Sequence, residues 1–177
     1  IVRAIITKNT NKKSRSFFDN IDKWAKEEGS SGLAYFTFEK ENNKIIGKGP
    51  IGKFFSSEAC QEIIKSSKAE IGDSIFFACG QKKDVEKLLS LARDKIAKEL
   101  EIIDENAFAF CWIVDYPMYE IDDKSGKIKF SHNPFSMPQG DISKLNLDHP
   151  LDIKAYQYDI VCNGIELSSG AIRNHIP

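Results

Sequence analysis

The sequence has 177 residues, 41 % of them hydrophobic and 29 % charged, which is an ordinary composition for one large or two small globular domains. Its formal net charge of −1 excludes a global electrostatic attraction to nucleic acid or to a membrane surface. No apolar run reaches the length of a bilayer and no signal peptide is recognisable, so we expect no membrane association.

The four cysteines are widely separated and form no C-x-x-C pair, which argues against a zinc site or a redox dithiol. Each lies in an apolar segment, where a free thiol behaves as a small hydrophobe. We therefore expect a reducing, cytoplasmic compartment. The chain begins at Ile1 without a methionine and ends at Pro177 soon after a predicted strand, so we expect a segment of a longer polypeptide.

The first hundred residues predict strands and helices in the order β-α-β-β-α-β-α. The helices are predicted to begin near Ser16, at Ser56 or Ser57, and at Lys83. This order is typical of an α+β fold, and we expect a mixed sheet packed on helices. The strands are predicted at residues 2–7, 33–38, 44–47 and 75–79.

The segment from Gly47 to Gly52 matches the expression G-x-G-x-x-G. A dinucleotide-binding loop, however, opens directly into a helix at its third glycine. Here Pro50 interrupts the loop and the helix begins only near Ser56. We therefore interpret the segment as a glycine-containing turn.

One loop of the first unit is basic and contains Lys8, Lys12, Lys13 and Arg15. These side chains could meet a phosphate backbone, but a solvated loop is the more common outcome for such a cluster. No catalytic constellation is recognisable in this unit.

The second unit begins after Asp104 and predicts antiparallel strands. A strand with alternating aromatic residues runs from Phe108 and is stopped by Pro117, and a hairpin follows over residues 119–130. His132 lies in the proline-punctuated loop that comes next. A lone loop histidine is most often simply solvated.

The strongest local signal is Asn163-Gly164, which favours a two-residue type I′ hairpin turn. A regular register about this turn pairs Cys162 with Ile165, Val161 with Glu166, Ile160 with Leu167 and Asp159 with Ser168. One face of the ribbon is then apolar and predicted to face a core: Tyr158, Ile160, Cys162, Ile165 and Leu167. The other face is polar: Gln157, Asp159, Val161, Glu166, Ser168 and Gly170.

Asp159 and Glu166 share the polar face as diagonal neighbours in this register, about 7–8 Å apart. Two interpretations remain open. Both acids could simply be solvated, which spacing alone favours. Alternatively, both could hold a divalent metal that also binds phosphate oxygens, since Mg²⁺ takes one or two protein carboxylates in such sites.

Arg173 has the wrong parity in an unbroken strand, because counting from Glu166 directs it to the core side. An unpaired guanidinium is costly to bury. Either the strand has ended, or a β-bulge within residues 168–170 returns Arg173 to the polar face, and Gly170 makes the bulge plausible. On that face Arg173 would be a fork for a carboxylate.

A family resemblance rests on FCWIVDYPMY at 110–119, HNPFS at 132–136 and AYQYDIVCNGIELSSGAIR at 155–173. In this order they resemble the bacterial-type aspartyl-tRNA synthetases. The first hundred residues resemble the inserted GAD domain of that family, which is shared with the B subunit of the glutamyl-tRNA amidotransferase. The resemblance there includes GLAY at 32–35 and GDSIFF at 72–77.

The resemblance implies a GAD domain over residues 1–104 and part of a class II catalytic domain, built on an antiparallel sheet, over residues 105–177. It implies an aspartate–tRNA ligase whose substrates are ATP, L-aspartate and tRNA, whose cofactor is Mg²⁺ and whose full-length form is a homodimer. Its catalytic residues would be Asp159 and Glu166, which would hold the metal, with Glu166 also contacting ATP. His132 and Arg173 would bind aspartate, Arg173 through the side-chain carboxylate.

The sequence departs from the family in three respects. Many relatives carry a second histidine at Asn133, and glycines at Ser168 and Ser169. The dimer motif, the two further arginine-bearing class II motifs and the anticodon-binding barrel are absent from these 177 residues. The isolated chain is therefore expected to be inactive.

An alternative hypothesis is a non-catalytic GAD-type module that binds tRNA or another protein. The arrangement of Asp159, Glu166 and Arg173 discriminates between the two hypotheses, because such a module would not need it. It favours the enzyme.

Overall fold

The computed structural model describes residues 1–141, 143 and 145–175. The chain divides into two compact units, Ile1–Ile103 and Asp104–Pro177. Helices and antiparallel sheets together confirm the predicted α+β class. None of the helices in these described ranges is long and apolar enough to cross a membrane.

The first unit contains one sheet and three α-helices. Every strand pairing in the described part of the sheet is antiparallel, in the order β1-β4-β2-β3. The sheet therefore differs from the mixed arrangement predicted from the sequence. The elements are β1 Val2–Thr7, α1 Arg15–Glu27, β2 Ala34–Glu41, β3 Lys44–Lys48, α2 Ser57–Ser67, β4 Ser74–Cys79 and α3 Lys82–Glu99.

Both faces of this sheet are covered, which explains the nearly continuous apolar runs in β2 and β4. Tyr35 and Phe76 pack with helices α1 and α3 on one face. Phe36 and Ile75, their neighbours along the strands, pack with α2 on the other face. Alternation within each strand thus builds two apolar layers.

The glycine-containing turn brings two backbone segments into close contact and does not begin an α-helix. A Cβ on Gly52 would lie only 2.0 Å from the carbonyl oxygen of Gly47. Gly52 begins a short 3-10 turn, and α2 starts later, where the Ser56 hydroxyl accepts a hydrogen bond from the amide of Ala59 at 3.2 Å. The predicted turn, with the helix beginning only after Ser56, is therefore confirmed.

One member of the predicted basic cluster is structural. The Lys8 ammonium lies 2.8 Å from the carboxylate of Asp73, which is only 1 % exposed. The amides of Asn9 and Glu70 donate to the same carboxylate at 2.9 and 2.8 Å. Burial alone raises the pKa of Asp73, but the hydrogen bonds from Lys8 and the two amides outweigh it and lower the pKa below its usual value.

The second unit is built from short antiparallel strands, as predicted. In its described residues β8 lies between β5 and β9, and β6 pairs with β7 as a separate hairpin. Its small buried core consists of Met118, Ile153 and Ala155. The strands are β5 Phe110–Ile113, β6 Tyr119–Ile121, β7 Ile128–Phe130, β8 Gln157–Cys162 and β9 Ile165–Ala171.

The apolar face of the β8–β9 ribbon is largely exposed within this unit, in contrast to the predicted core face. Cys162 is 8 % exposed, whereas Ile165 and Leu167 are 67 % and 56 % exposed. Trp112 of β5 covers part of this face and meets Tyr158 edge to face, with ring centroids 6.0 Å apart. The described residues of the unit add no second layer over the remainder.

Candidate active site

The predicted turn at Asn163 and Gly164 is confirmed. Both residues have positive φ, 50° and 81° respectively, as a type I′ turn requires. The Asn163 side chain also fixes the turn to the chain before β5. It accepts a hydrogen bond from the amide of Ala109 at 2.9 Å and donates to the carbonyl of Ala107 at 2.7 Å.

Next to the turn the pairing is regular and places the two acids on one face. Cys162 lies opposite Ile165, and Val161 lies opposite Glu166, as predicted. Asp159 is two residues from Val161 along β8, so it has the same facing. Asp159 and Glu166 therefore share one side of the ribbon.

Further from the turn the predicted register is wrong. The pairing shifts between Ile160 and Val161, so that Ile160 lies opposite Ser168 and Asp159 lies opposite Ser169. Leu167 is the extra residue of a β-bulge, which sets two residues of β9 against one of β8.

The bulge decides the position of Arg173. Because side chains alternate along a strand, one extra residue exchanges the faces of everything that follows it. Ser169 and Ala171 thereby reach the side of Asp159 in place of the predicted Ser168 and Gly170, and Arg173 lines a cavity on that side. The buried position for Arg173 does not occur.

The bulge lies one residue before the predicted range 168–170, and Gly170 serves a different purpose. Gly170 lies opposite Tyr158. A Cβ at Gly170 would lie 2.7 Å from the Tyr158 ring. The missing side chain therefore gives the ring room to lie across the strand.

A cavity of about 500 Å³ lies on the polar side of the ribbon. Three of the four predicted site residues, His132, Asp159 and Arg173, line it together, although they come from a loop, a strand and a strand end. The full lining is Tyr116, His132, Asn133, Phe135, Gln157, Asp159, Ser169, Gly170, Ala171 and Arg173.

Glu166 is exposed and does not line this cavity. It lies next to the turn, on the face of Asp159. Its charge nevertheless acts on the Tyr116 hydroxyl, whose pKa it helps to raise. Glu166 therefore lies outside the cavity lining, on the side of the ribbon that carries Asp159.

Tyr116 connects two predicted site residues, and the sequence pattern did not reveal it. Its hydroxyl donates a hydrogen bond to Asp159, and its ring meets the His132 ring edge to face with centroids 4.8 Å apart. The hydrogen bond to Asp159, then burial, and then the charges of Asp159 and Glu166 raise the pKa of Tyr116 to about 12. Tyr116 follows the end of β5 and directly precedes Pro117, so strand alternation gives no indication of its direction.

Arg173 lies over an aromatic ring at the other end of the cavity. Its guanidinium carbon is 3.9 Å from the centroid of Phe135. The backbone is paired on both sides of this contact: the amide of Met137 donates to the carbonyl of Ile172 at 2.8 Å, and the amide of Asn174 donates to that of Phe135 at 2.8 Å. No carboxylate of the described residues forms an ion pair with Arg173, so its donors are available to a ligand.

A buried polar chain runs beside the cavity and was also missed. The Gln157 amide donates to the Ser136 hydroxyl at 2.7 Å, and that hydroxyl donates to Asn133 Oδ1 at 2.5 Å. Ser136 is 0 % exposed and Gln157 is 7 % exposed. Strand alternation predicts Gln157 on the polar face. It does not predict the hydrogen bond to Ser136, because Ser136 lies in a distant loop.

The carboxylates suit a hard cation that also binds phosphate. Asp159 uses one oxygen for Tyr116, and its other oxygen and the exposed Glu166 carboxylate supply the oxygen ligands that Mg²⁺ prefers. Within the described ranges, no group of three or more His, Cys, Asp or Glu side chains is placed to hold a metal ion. Two carboxylates are the number of protein ligands that Mg²⁺ takes where substrate phosphates supply further oxygens.

Comparison with known proteins gives relatives that match the chain over nearly its whole length. It is 73 % identical to the aspartate–tRNA(Asp/Asn) ligase of Pelagibacter ubique (strain HTCC1062) over 176 residues, which cover 99 % of the chain and 30 % of the relative. It is 50 % identical to the proteins of the same name from Gluconobacter oxydans (strain 621H) and Acidiphilium cryptum (strain JF-5), covering 99 % and 100 % of the chain and 29 % of each relative. The chain thus spans about a third of the length of these relatives.

The predicted resemblance to aspartyl-tRNA synthetases is confirmed by these relatives. The model of the GAD domain family matches residues 1–89, which is half of the chain. That match covers α1, α2 and the antiparallel sheet of the first unit. The chain therefore belongs to the GAD domain family.

Proposed function

We propose that the chain is the GAD domain and part of the catalytic domain of an aspartate–tRNA ligase. The boundary would lie near Asp104, where the chain divides into its two units. The observation that supports this function best is the meeting of His132, Asp159 and Arg173 in one cavity. A cavity with a guanidinium at one end and a carboxylate at the other suits an amino acid joined to a metal nucleotide.

At the cationic end Arg173 binds the side-chain carboxylate of L-aspartate. A guanidinium offers parallel N–H donors that match a planar carboxylate, which gives both affinity and orientation. Phe135 stacks on one face of the guanidinium and leaves its donor-bearing edge available. His132, exposed at the rim, adds a further contact to the amino acid.

At the acidic end Asp159 and Glu166 hold Mg²⁺ with ATP, and Glu166 also contacts the nucleotide. When bound, the cation neutralises phosphate charge. Asp159 is oriented for this task by the Tyr116 hydroxyl. Glu166, exposed beside the turn, is accessible to the nucleotide without entering the amino-acid cavity.

The chemistry is activation of aspartate as an aspartyl-adenylate. An α-carboxylate oxygen of aspartate forms the new bond to the α-phosphorus of ATP, and pyrophosphate leaves. The adenylate then esterifies the 3′ end of tRNA and releases AMP. The residues of this chain contribute positioning and electrostatic stabilisation, and no covalent enzyme intermediate is required.

The names of the relatives extend the proposal to the tRNA. These relatives are named aspartate–tRNA(Asp/Asn) ligases, so we propose that the full-length protein charges both tRNAs. A cytoplasmic location is part of this proposal.

The direct test is ATP–pyrophosphate exchange by the full-length protein. We expect exchange that depends on L-aspartate and on Mg²⁺, and no exchange with L-glutamate. Charging of purified tRNA(Asp) and tRNA(Asn) tests the second step. A full-length protein that lacks aspartate-dependent exchange would contradict the proposal.

A further inference from the structure

Hydrogen bonds link the side chains of Gln157, Ser136 and Asn133 in that order. This network is more than a buried polar contact, because its first and last residues line the cavity. Gln157 and Asn133 both line it, whereas Ser136 between them is fully buried. Buried polar groups need partners, and a network in which every member is paired fixes the conformation of each.

The direction of the chain follows from the single proton of a hydroxyl. Ser136 can donate only one hydrogen bond, so one of its two partners must donate to it and the other must accept. Gln157 Nε2 donates at 2.7 Å, and Asn133 Oδ1 accepts at 2.5 Å. With its oxygen thus engaged, the Asn133 amide retains Nδ2 as the group it offers to a ligand.

Ser136 also holds the backbone that carries the aspartate-binding arginine. It forms an antiparallel bridge with Arg173. On either side of the bridge, the amide of Met137 donates to Ile172 and the amide of Asn174 donates to Phe135, both at 2.8 Å. The buried Ser136 hydroxyl therefore lies where the loop of His132 meets the end of β9.

We propose that Asn133 is a third aspartate-binding residue, whose amide is turned by Ser136 and Gln157 so that Nδ2 donates to a carboxylate held by Arg173. The inference rests on the proposed function and deepens it. Ser136 and Gln157 are positioning residues in this account, since they act on the ligand through Asn133. An amide donor beside a guanidinium favours an anionic ligand without adding net charge to the site.

The sharpest test is Asn133→Asp in the full-length protein. The new side chain has the same shape and still accepts from Ser136, but it replaces the Nδ2 donor with an oxygen that repels a carboxylate. We expect the KM for L-aspartate to rise about tenfold or more, and the KM for ATP to stay within about twofold. The matched control is Asn146→Asp, since exposed Asn146 lies outside the cavity and the substitution keeps its oxygen acceptor for the amide of Asp148.

The substitution Gln157→Glu tests whether Gln157 orients the Asn133 amide through Ser136. A carboxylate at this position cannot donate to Ser136, so the hydroxyl must donate towards residue 157 and the Asn133 amide must turn its oxygen to the ligand. We expect the KM for L-aspartate to rise several-fold. In an Asn133→Ala background the same substitution should have no further effect, because the group through which it acts is gone.

The outcomes separate the two proposals. Absence of aspartate-dependent exchange in the wild-type protein would overturn the proposed function together with this inference. Exchange in the wild type, with Asn133→Asp changing the aspartate KM by less than twofold or raising both KM values equally, would overturn the inference alone. Additive effects of Asn133→Ala and Gln157→Glu would remove the positioning role from Gln157.

Discussion

The guanidinium of Arg173 lies 3.9 Å from the centroid of the Phe135 ring. Stacking of this kind fixes the plane of a guanidinium while its edge stays free to donate hydrogen bonds. The contact joins the end of β9 to the loop of His132, so the two groups proposed to bind aspartate share a support. Backbone hydrogen bonds from Met137 to Ile172 and from Asn174 to Phe135 hold the two segments together.

Arg173→Lys should raise the KM for L-aspartate at least tenfold, with little change in the KM for ATP. A lysine keeps the charge but supplies neither the bidentate fork nor the planar stack, and we expect a cost of about 1.5–3 kcal/mol. Steady-state ATP–pyrophosphate exchange measures both constants. Arg93→Lys on exposed α3 is the control, and an unchanged aspartate KM in Arg173→Lys would contradict the assignment.

Phe135→Leu should have a smaller effect of the same kind. It keeps an apolar side chain but removes the ring face, which is worth about 0.5–1 kcal/mol at an exposed site. The aspartate KM should rise about two- to fivefold. Phe54→Leu is the matched control, because Phe54 is exposed and has the ammonium of Lys53 over its ring at 5.1 Å. Equal kinetics for the two variants would show that the stack has no part in binding.

Glu166→Ala should abolish ATP–pyrophosphate exchange while leaving tRNA binding intact. Glu166 is exposed and packs little, so the variant should fold normally, whereas Mg²⁺–ATP loses one of two carboxylates. Exchange kinetics and tRNA affinity by filter binding report the two properties. Glu99→Ala, which removes the exposed ion pair with Lys95, is the control. Retained exchange would remove Glu166 from the nucleotide site.

The first unit should lose stability in acid through Asp73. Its pKa is lower in the folded state than in the unfolded chain, so it stabilises the fold above its unfolded pKa of about 3.9, and this contribution is lost as pH falls through the folded value. Asp73→Asn should cost about 2–4 kcal/mol at pH 7, and this cost should shrink as pH falls through the lowered pKa of Asp73.

Thermal unfolding from pH 7 to pH 2 measures this loss. The control is Asp94→Asn, whose carboxylate is 57 % exposed and lies beside Arg93. A difference between Asp73→Asn and the wild type that does not shrink in acid would exclude linkage through this carboxylate.

The sequence predicts best what neighbouring residues decide. The turn at Asn163-Gly164 and the facing of Glu166 follow from φ preferences and from the pairs next to the turn. The position of Leu167 in a bulge does not follow, because a hydrophobic pattern records facing but not the insertion of a single residue. Arg173 could therefore be placed only as one of two alternatives.

The missed residues depend on contacts between distant segments. Tyr116 and Asp159 are 43 residues apart, and Ser136 and Gln157 are 21 apart. Neither Tyr116 nor Ser136 lies within a strand, so alternation gives them no direction. The antiparallel sheet of the first unit was missed for a related reason, since local pattern marks strands but does not choose their partners.

The bulge at Leu167 divides the candidate site into two parts whose positions depend on different strand pairings. The acids depend on the pairing between the turn and the bulge, whereas the arginine depends on the pairing beyond it. If Leu167 instead paired with Ile160 in an uninterrupted ladder, Asp159 and Glu166 would stay where they are, and Arg173 would lie on the opposite surface of the sheet. The unpaired position of a single leucine that touches no substrate thus determines on which side of the sheet the amino acid can be held.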